Sequence, residues 1–289
     1  CDKPLDKFIN INRNFSRCIS KTKCAPKQTL DEKSQRPIVE ANILPKYTSV
    51  NIFIKNMRTA IIPFLGDNQF SFPKKGSPIA LINVLDTANM RACQKKKTSI
   101  VLYDYSNAFC TYDHDVFNEI ISSFNFSDRL KQLCNDFLKQ SKTSIKMNDC
   151  NGYYISDEVD MGRGVPQGQI GADLFFAMVN DGIEPSAVVN TLIDVTKYVD
   201  DFSKVIASDS VPDLNSAIER NELEMKRTAS SIGLMLNEDK TKIVPLNVRD
   251  DLINTTRDIH RTVKLLGFYF ETYWIARKGM RYVSTDPSA

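Results

Sequence analysis

Histidine is scarce in this 289-residue chain: only His114 and His260 occur, so imidazole-based triads and zinc sites built on several imidazoles have almost nothing to work with. Carboxylate, lysine and cysteine chemistry remain. The seven cysteines, Cys1, Cys18, Cys24, Cys93, Cys110, Cys134 and Cys150, include no C-x-x-C pair or other zinc-like spacing, and their odd number fits a reducing compartment. Long apolar runs are also missing. The longest, such as residues 60–65 and 174–179, fall far short of the roughly 20 residues that span a bilayer. No membrane segment and no signal peptide are expected, and the reading is an intracellular protein, cytoplasmic or nuclear. Internal repeats and low-complexity tracts are absent. The chain begins with Cys1 rather than methionine, so it reads as a processed or excised piece of something longer.

What is present is ordinary globular composition, 42% hydrophobic and 25% charged, which excludes disorder as the main state and supports one compound unit with a sizeable core. Net charge is +3 but uneven. Residues 1–36 hold nine Lys/Arg against four acids, so this segment is strongly basic while the rest is slightly acidic. A basic arm ahead of a near-neutral body suits a polyanionic partner, through phosphate attraction and counterion release.

Periodicity sets out the elements. Ser77 is placed to cap a helix beginning at Pro78, with Ile82, Leu85, Ala88 and Ala92 at helical spacing and Lys95-Lys96-Lys97 at its end. Residues 99–104 form an apolar run that reads as a buried strand ending in Asp104. Two amphipathic helices follow, one on Val116, Ile120, Ile121 and Phe124, the other on Leu130, Leu133, Phe137 and Leu138 with Ser127 as a possible cap. Segments 144–147 and 153–156 flank Asn151-Gly152, a hairpin signal. A glycine-rich turn at 162–168 feeds a helix around 174–179. Strands at 192–199 and 202–207 are joined tightly at Asp200-Asp201, and a long helix on Leu214, Ile218, Leu223 and Met225 should stop near Gly233. Segments 242–245 and 263–270 resemble further strands. The order describes an α+β layer with one open sheet.

Chemistry enters through the acids. Asp104 ends one buried strand, and Asp200-Asp201 occupy the turn between two others. If those strands are neighbours, three carboxylates converge, and like charges held a few ångströms apart persist ionised only when cations neutralise them. Hard oxygen donors suit Mg²⁺, which commonly bridges carboxylates to substrate phosphates. Two such ions serve an in-line nucleotidyl transfer.

Residues 104–114, DYSNAFCTYDH, resemble the first palm motif of reverse transcriptases, particularly those of non-LTR retrotransposons. Arg163-Gly164-Val165-Pro166-Gln167-Gly168 is similar to their second motif, and Tyr198-Val199-Asp200-Asp201 to their Y-x-D-D box. Residues 68–72 (NQFSF) through Ser77 and Arg36-Pro37-Ile38 resemble fingers motifs, 237–241 (NEDKT) the fourth palm motif and 263–267 (VKLLG) the fifth, in family order from about residue 19 to about residue 270.

The resemblance implies a right-hand polymerase fingers and palm, the palm a ferredoxin-like antiparallel sheet packed on helices, with the thumb absent. Its implied divisions are a basic N-terminal arm and start of the fingers at 1–35, fingers at 36–98, palm at 99–245 with a fingers-side insertion at about 115–160, and then a linker, the fifth motif and a tail at 246–289. Implied roles follow residue by residue. Asp104 and Asp200 would be the main metal ligands, with Asp201 beside them, for two Mg²⁺ ions that Mn²⁺ could replace. Lys240 would be a general acid toward pyrophosphate. Arg36, with Lys21 or Lys23, would hold the triphosphate; Tyr105, Phe109, Gln167 and Gly168 would shape the nucleotide site, Phe109 by colliding with a ribose 2′-hydroxyl. Leu266 and Gly267 would form the primer grip.

The expected partners are an RNA or DNA template with its primer, a deoxynucleoside triphosphate and further protein chains that supply a thumb or a larger assembly. Cys110 stands where the pattern usually has aspartate, and Ala172-Asp173 replaces a small residue plus proline. A non-catalytic scaffold derived from such a polymerase and an RNA-dependent RNA polymerase are the competing readings. The second lacks its expected G-D-D in the third motif.

Overall fold

The computed structural model describes residues 13–20, 35–41, 55–72, 75–139, 142–149, 152–160, 162–165, 172–183, 188–255, 259–275 and 280–284. In chain order the elements are β1 (Arg13–Ser20), β2 (Gln35–Ala41), α1 (Lys55–Ile61), α2 (Ser77–Cys93), β3 (Lys97–Tyr103) and α3 (Ala108–Thr111). Next come α4 (His114–Ser123), α5 (Asp128–Lys139), β4 (Lys142–Asp149), β5 (Gly152–Ile155), β6 (Val159–Asp160) and α6 (Ala172–Asp181). The last are β7 (Thr191–Tyr198), β8 (Asp201–Ser208), α7 (Val211–Ser231), β9 (Lys242–Pro245), β10 (Thr262–Leu265), β11 (Phe268–Ile275) and β12 (Met280–Ser284). They fall into two compact units, residues 1–64 with 107–179, and residues 65–106 with 180–289.

The first unit holds a sheet in the order β2-β1-β4-β5, with β6 also on β4. Its β1–β4 pair is parallel, and β4–β5 is an antiparallel pair as the Asn-Gly signal predicts, but in a shifted register: Gly152 opens β5 opposite Asp149, whereas a turn centred on Asn151-Gly152 would set Tyr154 there. Local capping starts its helices. The Asp113 carboxylate accepts from Asp115 N at 2.8 Å ahead of α4, and Ser127 Oγ accepts from Leu130 N at 3.4 Å ahead of α5. In α4 the buried apolar residues are Phe117 and Ile121, while Val116 and Ile120 are only partly covered. Phe117 wins because its ring meets Phe175 of α6 edge-on at 5.1 Å.

The second unit is built on an antiparallel four-stranded sheet, β7-β8-β3-β9. Counted in chain order this is 2-3-1-4, the ferredoxin-like arrangement. The two sheet faces follow from strand alternation. On one face Ile100, Leu102, Val205 and Val244 pack with Leu81, Val84 and Ala88 of α2, extended by Val263, Leu265 and Phe270. Next to Val205 along β8, Lys204 points the other way and donates from Nζ to Asn221 Oδ1 of α7 at 3.0 Å. The sheet is therefore covered by α2 on one side and α7 on the other, and β8 is buried along nearly its whole length.

Three expectations change. Helix α2 begins at Ser77 with Gly76 at the N-cap, and its buried stripe is Ala80, Leu81, Val84, Ala88 and Ala92. Ile82 is exposed, because it lies about 100° around the helix from Leu81. In α7 the buried set is Leu214, Ala217, Ile218, Asn221, Met225 and Ala229, and Leu223 faces solvent for the same reason. Segment 263–270 is two strands rather than one. Leu266 and Gly267 both take positive φ, 54° and 88°, and make the two-residue turn that joins Leu265 to Phe268 in the β10–β11 hairpin.

Candidate active site

The acids meet through strand pairing. In the β3–β8 register Tyr103 lies opposite Phe202, so the next residue out on each strand is Asp104 on one and Asp201 on the other. Val199 and Asp200 form the turn from β7 to β8. Val199 sits there at φ 53°, a left-handed conformation that a β-branched residue adopts only under constraint. The Asp201 carboxyl is pushed up to about 6, first by burial, then by the charges of Asp200 and Asp104, while Lys240 pulls the other way. The three acids thus share one field.

The segment after α7 brings in a cation. Ser106 N donates to Met235 O at 2.8 Å and Asn237 N to Asp104 O at 2.7 Å, which lays residues 235–237 alongside 104–106. A 3₁₀ turn, Glu238–Lys240, follows. It places Lys240 Nζ 2.8 Å from Asp104 Oδ2. Among the described residues, no group of three or more His, Cys, Asp or Glu side chains is arranged to hold a metal ion. The three-carboxylate convergence expected from sequence is therefore looser than a complete cage, since Asp200 belongs to the turn while Asp201 opens the strand. The donor chemistry still suits Mg²⁺, which commonly takes one or two carboxylates and completes its shell with water and substrate phosphate.

The remaining expected residues of this unit are distributed as follows. Tyr105 turns its side chain into the core, where it is buried and its hydroxyl donates to Asn180 Oδ1 at 3.3 Å; burial pushes its phenol up. The expectation of a side chain presented to a nucleotide does not match this placement, because the ring packs inward where the neighbouring Asp104 faces out. Leu266 packs partly against the α2 core and Gly267 completes the hairpin turn. Ser71 and Asn180, which sequence reasoning left without a role, both hydrogen-bond the Val199 peptide groups. Only Ser71 carried a signal, lying within the NQFSF segment.

In the first unit, Phe109 is half-buried on α3, its ring centroid 5.1 Å from that of Phe176. The Arg163–Val165 turn is stitched onto the same segment. Val165 N donates to Phe109 O at 2.6 Å, Gly164 N to Tyr112 O at 2.8 Å, and His114 Nε2 lies 2.7 Å from Gly164 O. Gly164 takes φ 65°, and a Cβ on it would stand 2.2 Å from Phe109 O, so the motif requires glycine here. Burial raises the Cys110 thiol, which suits an inert side chain. Arg36 lies in β2 opposite Ile19 of β1. Lys21, Lys23, Gln167 and Gly168 lie outside the described residues.

Against known families, the model described as reverse transcriptase (RNA-dependent DNA polymerase) matches residues 25–270. No curated protein matches the chain. Among solved structures, the chain is similar to apo telomerase from Candida tropicalis truncated from its C-terminal domain, at 12% identity and TM-score 0.57, covering 92% of this chain and 56% of that one. It is also similar to telomerase from Candida tropicalis in complex with a TWJ fragment of telomeric RNA, at 10% identity and TM-score 0.54, covering 90% and 44%. A third match is telomerase from Candida albicans with the same type of RNA fragment, at 13% identity and TM-score 0.51, covering 94% and 46%. The chain spans about half the length of these structures, and the likeness is one of fold. No described helix is long and apolar enough to cross a membrane.

Proposed function

We propose, from the premise that this chain belongs to the reverse transcriptase (RNA-dependent DNA polymerase) family, that it is the polymerising part of an RNA-directed DNA polymerase of the non-LTR retrotransposon type. The observation that carries the reading is the β3–β8 register, which sets Asp104 beside Asp201 at the end of the pair with Asp200 in the adjoining turn. Asp104, Asp200 and Asp201 would hold Mg²⁺, which when bound supplies charge neutralisation at the reacting phosphate. In the reaction a primer 3′-hydroxyl loses its proton to solvent and attacks the α-phosphorus of a deoxynucleoside triphosphate, the new P–O bond forms, and the bond to the pyrophosphate oxygen breaks. Lys240, poised on Asp104, is the nearby group able to give a proton to that oxygen. Phe109 would reject the 2′-hydroxyl. Arg36, Lys21, Lys23, Gln167 and Gly168 are proposed to bind and frame the triphosphate, and Leu266 and Gly267 to hold the primer.

The proposed partner is an RNA template, in keeping with the RNA named in two of the telomerase structures. Division of the chain into an arm, fingers, palm and fifth-motif tail belongs to the same proposal. Primer extension on an RNA template tests it: wild type should extend with Mg²⁺ and Asp200→Ala should not. Extension surviving in Asp200→Ala removes the assignment. A second reading, a non-catalytic scaffold in an RNA–protein assembly, is favoured by one observation: Lys240 neutralises Asp104 with no metal required. A wild type that binds RNA but extends no primer would select it.

A further inference from the structure

The turn that presents Asp200 and Asp201 does not hold its own shape. Its first residue, Val199, is β-branched and left-handed at φ 53°, a state with an intrinsic penalty that surrounding contacts must offset. Those contacts come from two separate stretches of the same unit. From one side, segment 66–71 runs against the end of β7: Lys197 N donates to Asn68 O at 2.9 Å and Phe70 N to Lys197 O at 2.8 Å. This edge pairing delivers Ser71, whose Oγ accepts from Val199 N at 2.6 Å and donates to Gln69 Oε1 at 2.7 Å. Gln69 is itself buried, so the hydroxyl is oriented with its lone pairs toward the turn. From the other side, Asn180 is fully buried at the end of α6. Its Nδ2 donates to Val199 O at 3.4 Å, and its Oδ1 accepts from the Tyr105 hydroxyl at 3.3 Å.

Both polar groups of the Val199 peptide unit are thus claimed by side chains rather than by the hairpin. The chain of bonds also joins the residue after Asp104 to the residue before Asp200. We propose that Ser71 and Asn180 are positioning residues: they hold the Val199–Asp200 turn in its left-handed form and so set where the carboxylates of Asp200 and Asp201 stand relative to Asp104. The consequence for cation binding rests on the polymerase reading above; the holding of the turn does not.

Hydrogen exchange and Mn²⁺ binding, followed by electron paramagnetic resonance on the full chain, separate the two. In Ser71→Ala, which removes one hydrogen bond and little volume, exchange at the Val199 and Asp200 amides should quicken by about fivefold to tenfold, and Mn²⁺ should bind more weakly by a similar factor. Ser71→Thr, which keeps the hydroxyl, should restore both. Asn180→Asp keeps the acceptor for Tyr105 but loses the donor to Val199 O, and should act in the direction of Ser71→Ala. Unchanged exchange in Ser71→Ala overturns the proposal, and quickened exchange with unaltered Mn²⁺ affinity overturns its link to the carboxylates. If wild type takes up no Mn²⁺ while exchange responds as expected, the holding of the turn stands and the polymerase reading fails.

Discussion

Replacing Asp201 by asparagine should stabilise the protein at neutral pH and leave it unchanged in acid. The carboxyl ordinarily titrates at 3.8 and in the folded chain is pushed up to about 6, by burial and by the charges of Asp200 and Asp104. Between those two values the folded state keeps a proton that the unfolded state has released. Folding stability therefore falls as pH rises from about 4 to about 6, and the loss is complete above that window. At 1.36 kcal/mol per pH unit the deficit reaches ~3 kcal/mol at pH 7.5 as an upper figure. Asp201→Asn is isosteric and cannot ionise, so it removes the deficit.

Urea unfolding followed by circular dichroism at pH 4, 6 and 7.5 measures it. The variant should be more stable than wild type by ~2–3 kcal/mol at pH 7.5, by less at pH 6, and by nothing at pH 4. Mg²⁺ should narrow the gap at pH 7.5 by stabilising the wild type more than the variant, which keeps Asp104 and Asp200 but loses the third carboxylate. A gap that is the same at all three pH values would refute the electrostatic argument, since a packing effect has no reason to titrate.

Three further outcomes are expected. Lys240→Met removes the 2.8 Å partner of Asp104 and the cation that lowers Asp201. Mn²⁺ should then bind severalfold more tightly, and the titration of Asp201, read from the stability profile, should move upward; a weaker Mn²⁺ affinity would contradict this. Gly164→Ala should lose about 3 kcal/mol or more, from the left-handed penalty plus the clash with Phe109 O. Gly267→Ala, at φ 88° with nothing within 4 Å of the added carbon, should lose only ~1–2 kcal/mol, and equal losses in urea unfolding would sink the steric part. Phe109→Ala should raise ribonucleotide incorporation relative to deoxynucleotide about tenfold or more, and a wild type that prefers ribonucleotides would end the steric-gate role.

Much of the local structure was legible in the residues. The strand at 97–103 shows as an apolar run, the pairing of β4 with β5, though not its register, in Asn151-Gly152, the start of α5 in Ser127 and the end of α7 near Gly233. Where reading failed, a neighbour decided. Ile82 and Leu223 look as apolar as the residues beside them, and only the sheet beneath α2 and α7 determines which stripe is covered. The Leu266-Gly267 turn was hidden because leucine gives no signal for positive φ. Tyr105 carried no sign that Asn180 would draw its hydroxyl inward.

By itself the sequence determined the kinds of elements, their order, and the placing of acids at strand ends, because periodicity and turn chemistry act over a few residues. Tertiary structure alone decided that β3 pairs with β8, so that Asp104 stands beside Asp201, and that Lys240 reaches Asp104 from 136 residues away. It alone decided, too, that Ser71 and Asn180 hold Val199. Those meetings depend on which strand edges and helix faces find each other when apolar surface is buried, and no short stretch of residues encodes its distant partner.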